Sequence, residues 1–515
     1  MMRIQLSLVI FIIFSFKVGF ATDWPQWRGP QRDGINRWNA DYKELSSPFL
    51  LWESETIPSG DEGGFGSAVS DGKCVYLSIV WHRDVPTSTR TISDLFLRKL
   101  GARKINLPEN LIEKAESDRL SLNPRLRGSK LEDWIEDWLN QNLDQKQKMV
   151  QGDLLASRFR QGKIALPVSV IETLHAVKNK PFSSQDALDK WLDEQDFDTS
   201  IRKKISESVP PTKRIADDTV IALDLTDGSQ KWKTSMSGSP SGRSSSSTPC
   251  VSRGRLISVG SDRIFAVEVK SGKVLWDNKL DVESMATSPL CFDDKVVALV
   301  GKLTAFEVES GKIIWSNEQI KGKAASAIAF KLGQKDVIAC NGAKEVFIVD
   351  AENGKTLWKG PGGGSSTPVF SNGYLLVHSK EKDVGLIAYN TNAGNVEEAW
   401  RFPKLTRRSD SSPLILGKYA YLVGAGMRSC FKLATGELIR KEPSKHDISS
   451  PVVSGTKIMA FEINGNFLSV IDSNPNNFQK IEGYKINALR CTSPALIGNR
   501  IIIRKEDRVA CYEFR

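Results

Sequence analysis

The sequence predicts an all-β chain, an eight-bladed β-propeller of four-stranded blades with a helical insertion in blade one. Three observations predict it: a glycine-centred repeat, a Ser/Thr-Pro marker ahead of each copy, and a charged stretch that interrupts the first copy. The repeat recurs about every 40 residues, which is the length of a four-stranded propeller blade.

Each clear copy of the repeat contains an alternating strand, a turn glycine and, four residues later, a tryptophan. The alternation predicts a strand with one buried face, and the glycine accepts the positive φ of a tight turn. We expect the tryptophan to pack between neighbouring blades. Clear copies occupy 222–232, 266–276, 305–315 and 348–358, and looser copies turn at Gly394 and at Gly436, where Arg440 takes the tryptophan position.

The marker opens a short apolar strand in each copy. Proline suits the first residue of a strand, where its missing N–H costs no ladder hydrogen bond. Eight positions carry the marker, the first and fourth without the proline: Ser67, Thr248, Ser288, Ser326, Thr367, Ser412, Ser450 and Ser493.

The two ends of the chain complete one blade in this interpretation. The eighth copy ends without a fourth strand, whereas 49–53 carries an orphan repeat tryptophan, Trp52, ahead of the first marker. We therefore predict that 49–53 pairs with the final strand near 509–514, which would leave no exposed sheet edge.

The first residues are typical of an export signal. Arg3 precedes an apolar run at 4–16, and small residues lead to a predicted cleavage after Ala21. Lys17 leaves an uncleaved anchor as the alternative, and no cysteine follows that would support a lipid anchor. No later segment approaches membrane-spanning length. We expect an exported monomer, periplasmic or secreted.

The net charge of +10 indicates contact with nucleic acid, anionic lipid or an acidic partner. We expect no nucleic-acid binding, because no basic block with interleaved aromatic residues occurs. The seven cysteines are scattered singly, without adjacent pairs or C-x-x-C motifs, which indicates small buried side chains rather than a disulfide framework. A single disulfide bridge between two of them is the alternative.

Residues 83–216 interrupt the repeat with charged and leucine-rich sequence that predicts short amphipathic helices. Ser129 and Glu132 form a capping-box pattern, and Ser183 with Asp186 indicates another helix start. Two interpretations stay open: an insertion that covers its own apolar surface, or a recognition element. The predicted domains are a signal peptide at 1–21, an N-terminal segment with the closing strand at 22–82, the insertion at 83–216, and the rest of the propeller at 217–515.

The repeat and its markers resemble the PQQ-like repeats of quinoprotein alcohol dehydrogenases and of the propeller lipoprotein of the outer-membrane β-barrel assembly machinery. The opening at 23–30, with Asp33-Gly34, resembles the start of many exported bacterial proteins with this repeat. The resemblance covers nearly all the chain after the signal, apart from 83–216. It is specific for the fold and weak for function.

For an enzyme, the resemblance implies a quinone in the central funnel beneath a vicinal disulfide, a calcium ion held by acidic and amide side chains, and a catalytic Asp. This chain has no adjacent cysteines, and its four histidines are dispersed. We therefore assign no catalytic, cofactor-binding or metal residue. The interpretation is an exported, non-catalytic propeller that serves as a binding or scaffold protein in the bacterial cell envelope. A PQQ-dependent oxidoreductase with calcium, or a degenerate relative, is the alternative, and an unrecognised hydrolase or a carbohydrate-binding role stays open.

Basic residues just ahead of the markers are expected to gather around one rim of the funnel and to engage an acidic partner. The competing expectation is a solvated surface that Glu283, Asp410 and Asp447 neutralise. The candidate rim consists of Arg243, Lys323, Arg407, Arg408 and Arg490.

Overall fold

The structure is a computed structural model, and it describes residues 23–37, 47–60, 62–240, 247–282, 285–381, 383–403, 410–424, 426–444 and 449–514. The chain divides into two compact units. The larger, here called the sheet unit, comprises the described residues of Met1–Trp81, Ala216–Gly238 and Arg243–Arg515. The smaller, the helical unit, comprises His82–Ile215 and the described part of Ser239–Gly242. The predicted signal segment lies outside the described residues.

The chain is mostly β, and its described residues form multiple four-stranded sheets of the kind found in propeller blades. Sheets are numbered here by the marker that precedes them. The first four contain Val69–Ser70, Cys74–Pro86, Thr212–Asp224 and Gln230–Pro240; Cys250–Ser252, Arg255–Val259, Arg263–Glu268 and Val274–Lys279; Leu290–Phe292, Lys295–Glu307 and Ile313–Gly322; and Ile328–Leu332, Lys335–Asn341, Glu345–Asp350 and Thr356–Pro361.

The other four sheets follow the same order. They contain Val369–Ser371, Tyr374–Ser379, Gly385–Asn390 and Glu397–Phe402; Leu414–Leu416, Tyr419–Gly424, Gly426–Lys432 and Leu438–Ser444; Val452–Ser454, Lys457–Glu462, Phe467–Asp472 and Lys480–Lys485, with Ile35–Asn36 added parallel to the first of these; and Ala495–Ile497, Arg500–Arg504, Val509–Glu513 and Phe49–Glu53.

The third sheet departs from the four-stranded expectation. Lys295–Glu307 runs as one strand that pairs first with Leu290–Phe292 and then with Ile313–Gly322. It therefore takes the place of the two middle strands of the other sheets.

The fourth strand of the eighth sheet comes from the N-terminal part of the chain. Phe49–Glu53 pairs antiparallel with Val509–Glu513, from Phe49 opposite Glu513 to Glu53 opposite Ala510. This pairing covers an edge that could otherwise recruit another chain. The predicted pairing of 49–53 with the final strand is confirmed.

The repeat tryptophans join consecutive sheets. The Trp52 indole of the eighth sheet donates to the carbonyl oxygen of Leu225 in the first (3.0 Å) and lies against Gly228, where an added Cβ would stand 2.3 Å from the ring. Glycine is therefore required here for close approach as well as for its φ of 76°. The same contact recurs in four further pairs: Trp232–Gly272, Trp276–Gly311, Trp315–Gly354 and Trp400–Gly436.

The marker residues link the inner strands, those that directly follow a marker. In each bond, a marker N–H donates to the marker hydroxyl of the next sheet. The bonds are Ser67 to Thr248 (2.9 Å), Thr248 to Ser288 (3.0 Å), Ser288 to Ser326 (3.0 Å), Thr367 to Ser412 (3.1 Å), Ser412 to Ser450 (3.0 Å) and Ser493 to Ser67 (2.9 Å).

Two further hydrogen bonds complete the links between consecutive sheets. Asn341 Nδ2 of the fourth sheet donates to Ser366 O ahead of the fifth (2.7 Å), and Ser493 Oγ donates to Ser450 O (2.9 Å). Each described sheet is thus linked to the next, and the last is linked to the first. The inner strands therefore enclose a central space.

A disulfide joins two neighbouring inner strands. Cys250 and Cys291 belong to the second and third sheets, with their Cα atoms 6.5 Å apart. Cys250 lies two residues after the marker Thr248, and Cys291 lies three residues after the marker Ser288. Residue counting alone did not decide which of the seven cysteines pair. Among the free cysteines, three are buried: Cys340, Cys430 and Cys511.

Reduction of this bridge should destabilise the sheet unit. The bridge closes a loop with a sequence separation of 41, for which chain entropy predicts about 4 kcal/mol of stabilisation. Dithiothreitol should therefore lower the melting temperature by about 4 °C for a chain of this size. The double variant Cys250→Ser/Cys291→Ser should melt at that lower temperature with or without reductant. Equal melting of the oxidised protein and of protein shown by mass spectrometry to be reduced would contradict the prediction.

The helical unit contains seven helices across its continuously described stretch 82–215. They are α1 Asp94–Leu100, α2 Glu109–Ser121, α3 Ser129–Asn142, α4 Gln145–Gln161, α5 Val168–Ala176, α6 Gln185–Asp193 and α7 Thr199–Ser208. One apolar cluster forms around α2, α3 and α4, and another around α1, α5, α6 and α7. Among the residues that the structure describes, no helix combines the length and the apolar character needed to cross a membrane.

Two predicted helix starts are shifted. Ser129 is the first residue of α3 and not its cap, because Gly128 occupies the cap position and makes no side-chain cap bond. The capping box occurs one helix later, where Asp144 and Gln147 exchange hydrogen bonds. The start expected at Ser183 begins with Ser184, whose side chain accepts from Ala187 N.

Candidate functional site at the centre of the sheet unit

Residues 23–36, here called the central segment, begin on the inner strands of the first three sheets. Trp24 and Ser70 exchange two backbone hydrogen bonds (3.0 and 2.9 Å). Val251 N then donates to Pro25 O (2.7 Å), and Cys291 N donates to Gln26 Oε1 (3.1 Å). The segment thus passes the first, second and third sheets in order.

The same segment ends at the seventh and eighth sheets. Val453 N of the seventh sheet donates to Gly34 O (2.7 Å), and Ile35–Asn36 pairs parallel with Val452–Ser454. Asn36 Nδ2 also lies 3.4 Å from Gly498 O of the eighth sheet. Because sheets one to three and six to eight surround one space, the central segment crosses that space.

Two arginines of the central segment donate hydrogen bonds to carbonyl oxygens at the starts of inner strands. Arg32 Nη1 donates to Pro289 O (2.7 Å) and its Nη2 to Ser288 O (3.0 Å), both on the third sheet. Arg28 Nη2 donates to Pro413 O (2.7 Å) at the start of the sixth sheet. The two guanidinium groups therefore hold the segment between inner strands that are far apart in sequence.

Both guanidinium groups are buried, and no carboxylate of the described residues lies at hydrogen-bond distance from either of them. Arg28 and Arg32 are each 1% exposed, and three of their nitrogens, Arg28 Nε and Nη1 and Arg32 Nε, have no acceptor among the described residues. Burial lowers the pKa of Arg28 to about 10 and that of Arg32 to about 9, so both remain charged at neutral pH. The Trp27 ring lies 5.8 and 6.0 Å from the two groups and offers its π face as partial compensation.

Glycine at position 34 is required by the crossing. Gly34 has a φ of 81°, and an added Cβ would stand 3.0 Å from Pro451 O and 3.1 Å from the Leu414 side chain. Just outside this point, Arg37 forms an ion pair with Asp33. The Asp33-Gly34 pair thus marks where the segment turns from the centre to the seventh sheet.

Of the predicted rim, the structure describes Lys323 and Arg490, whereas Arg243, Arg407 and Arg408 lie outside the described residues. Lys323 and Arg490 are exposed, and each stands three residues ahead of a marker. Lys323 O accepts from Ala286 N (2.8 Å), which places it beside the loop that enters the third sheet. The Arg490 guanidinium lies 5.8 Å from the Phe65 ring, ahead of the first marker.

The expected neutralising acids are described only in part. Asp410 forms an ion pair with Lys380, so a basic side chain other than a rim residue already balances it. Glu283 and Asp447 lie outside the described residues.

Sequence reasoning missed Arg28 and Arg32. The motif that contains them was recognised only as a family-like opening, although one signal was present: two arginines among Trp, Gly and Pro residues are unusual for a solvated leader. Their acceptors ahead of the third and sixth sheets are backbone carbonyls more than 250 residues away, which no local pattern indicates.

Residues 216–362 and 301–514 match a family model described as "Outer membrane protein assembly factor BamB". Together the two matches cover more than half of the chain. The chain belongs to this BamB-like family of PQQ-like propellers. No curated protein matches the sequence.

Several solved structures are similar to part of the chain. BamB from Moraxella catarrhalis is 17% identical, with 59% of this chain and 92% of that chain covered and a TM-score of 0.48. A europium-containing methanol dehydrogenase is 11% identical over 58% and 82%, with a TM-score of 0.43. A quinohemoprotein alcohol dehydrogenase from Pseudomonas putida is 10% identical over 58% and 72%, with a TM-score of 0.43.

The central residues of this BamB-like chain do not fit a quinone with calcium. Calcium takes oxygen ligands, with carboxylates prominent among them, whereas the described centre presents two guanidinium groups that already donate to carbonyl oxygens. The disulfide joins Cys250 and Cys291, which are not adjacent in the chain. Among the described residues, no group of three His, Cys, Asp or Glu side chains is placed to hold a metal ion.

Proposed function

We propose that the chain is an exported, non-catalytic β-propeller that serves as a binding or scaffold protein in the bacterial cell envelope. One observation carries the proposal: the chain's own residues 23–36 cross the central space in which the quinone enzymes hold their cofactor. The BamB-like family membership supports a partner among the proteins of outer membrane assembly.

The eight marked sheets are proposed as the eight blades of one propeller. The domain assignment is proposed as 1–21 for the signal, 22–82 for the N-terminal segment, 83–216 for an insertion in blade one, and 217–515 for the remaining blades. The Cys250–Cys291 bridge supports export, because disulfides persist in oxidising compartments and are rare in the cytosol.

The partner is proposed to be acidic and to engage the rim formed by Arg243, Lys323, Arg407, Arg408 and Arg490. The bonds between marker residues support this proposal, because they link the starts of neighbouring inner strands. Basic residues gathered just ahead of the markers would repel one another. An acidic surface would relieve that repulsion. The pairing of Asp410 with Lys380 supports a surplus of positive charge on this rim.

Charge reversal at the rim tests this function. The triple variant Arg407→Glu/Arg408→Glu/Arg490→Glu should lose at least about tenfold in recovery of envelope proteins after crosslinking, with the melting temperature nearly unchanged. Recovery by the unchanged protein should fall as salt rises across the physiological range, because exposed charges are screened within about 8–10 Å.

The matched control reverses three exposed lysines elsewhere on the sheets, Lys273, Lys335 and Lys418, with the same change in net charge. It should recover the same proteins as the unchanged chain. If the triple rim variant also recovers them at the same salt, the rim is ordinary solvated surface and the partner binds elsewhere.

The alternative function, a PQQ-dependent oxidoreductase or a degenerate relative, requires a quinone and calcium near the central segment. The guanidinium groups of Arg28 and Arg32 argue against it, for the reason given above. The rim, and not the centre, is therefore the surface through which we propose that the protein acts.

A further inference from the structure

The helical unit contains a cavity that neither the repeat nor the rim involves. Its volume is about 870 Å³, within the range of small-ligand sites, and all its lining residues lie between Asp84 and Arg214. The last turn of α1, the second half of α7 and the first residues of Thr212–Asp224 each contribute a lysine: Lys99, Lys204 and Lys213.

The cavity carries a surplus of positive charge. Four cationic side chains line it, the three lysines and Arg214, against two carboxylates, Asp84 and Asp94. Asp94 forms an ion pair with Lys178 (2.9 Å), which does not line the cavity. The hydrogen bond from Lys178 lowers the pKa of the Asp94 carboxyl. Asp94 is therefore already balanced by a cation outside the lining.

Hydroxyl groups line the same cavity. Thr87, Thr89 and Thr91 lie on one short stretch, and Thr87 Oγ1 is 2.9 Å from Thr89 Oγ1. Each hydroxyl can donate one hydrogen bond and accept others, which matches the hydroxyl groups of a sugar. Ser208 adds a further hydroxyl from the end of α7.

The stretch is held in place without a ligand. Arg90 Nη1 donates to the carbonyl oxygens of Thr87 (3.2 Å), Ser88 (3.3 Å) and Thr89 (3.1 Å), and Thr87 N donates to Pro211 O (3.0 Å). A ligand would therefore bind a pre-formed surface and would not have to order the loop, which favours affinity.

We propose that this cavity binds an acidic oligosaccharide of two or three units, whose carboxylate or phosphate groups meet the lysines and whose hydroxyls meet the threonines. The apolar side chains of Leu95, Leu100 and Pro210 offer a surface for the C–H faces of the sugar rings. The volume exceeds what a lone inorganic anion would fill. This site is independent of the partner rim proposed above.

Titration calorimetry with the full chain tests the site, with trigalacturonate, glucose 6-phosphate, maltotriose and inorganic phosphate as probes. Trigalacturonate should bind at least tenfold more tightly than maltotriose, and raising the salt from low to physiological concentration should weaken it several-fold. Glucose 6-phosphate has a single sugar unit, so tighter binding of this probe than of trigalacturonate would contradict a site for two or three units.

The double variant Lys204→Gln/Lys213→Gln should bind trigalacturonate at least tenfold more weakly, with an unchanged melting temperature. The matched control, Lys203→Gln, lies on the same helix but pairs with Glu207 (3.8 Å), and it should bind as the unchanged chain does. The proposal would be overturned if maltotriose or inorganic phosphate bound as tightly as trigalacturonate. It would also be overturned if the double variant bound trigalacturonate as tightly as the unchanged chain, or if neither acidic probe bound.

Discussion

Deletion of residues 22–54 should lower the melting temperature by about 10 °C or more, because it removes the closing strand and the central segment together. The deletion exposes the edge of Val509–Glu513 and removes the contact of Trp52 with the first sheet. Thermal unfolding followed by circular dichroism measures the shift. An unchanged melting curve would mean that the closing strand contributes nothing to the sheet unit.

A single substitution distinguishes the contribution of the closing strand to stability from that of the central segment. Trp52 is 7% exposed, and Trp52→Ala should cost about 3–5 kcal/mol, the range for truncating a buried aromatic side chain. Phe49→Ala is the matched control, since Phe49 lies on the same strand but is 51% exposed. It should leave the melting temperature nearly unchanged.

The receiving glycine offers an independent check on the same contact. Gly228→Ala places a methyl group 2.3 Å from the Trp52 ring and strains a backbone with a φ of 76°. In the Trp52→Ala background the steric part of that cost should disappear and only the backbone strain should remain. A double-mutant cycle measures the difference, and additive costs would show that Trp52 does not pack on Gly228.

The repeat-based features were predictable because each has a local signal. The turn glycine and the tryptophan four residues later define both partners of each contact between sheets, and the markers define where each sheet begins. The orphan Trp52 even indicated the closing strand, because a strand with that residue had no sheet of its own. Periodic sequence determines these features directly.

The central segment could not be predicted in the same way. Its position depends on Arg28 and Arg32 finding carbonyl oxygens of distant strands, and such acceptors are present in every residue, so nothing in the sequence marks them. The choice of Cys250 and Cys291 among seven cysteines likewise required the three-dimensional placement of two inner strands.

Loss of both central arginines should release the central segment. Arg28→Ala/Arg32→Ala leaves three carbonyl oxygens of the third and sixth sheets without these donors, and each buried unsatisfied group costs about 1–3 kcal/mol. For three groups we therefore expect a loss of about 3–9 kcal/mol in the free energy of unfolding, reduced by the gain from releasing two buried charges to solvent. Arg37→Ala, one residue beyond the central segment, is the matched control, because its ion pair with Asp33 is partly exposed and should contribute less than about 1 kcal/mol.

A chemical probe distinguishes release of the segment from general destabilisation. Cys340 on the fourth sheet is buried and feels the charge of Arg32, and burial raises the pKa of its thiol to about 12, so it should react slowly with a maleimide. In the double variant, at a temperature well below melting, labelling of Cys340 should accelerate at least about tenfold, while that of buried Cys430 and Cys511 stays unchanged. Peptide mass spectrometry resolves the three sites. Equal acceleration at all three would indicate loosening of the whole unit, and no acceleration at Cys340 would show that the arginines do not hold the segment across the centre.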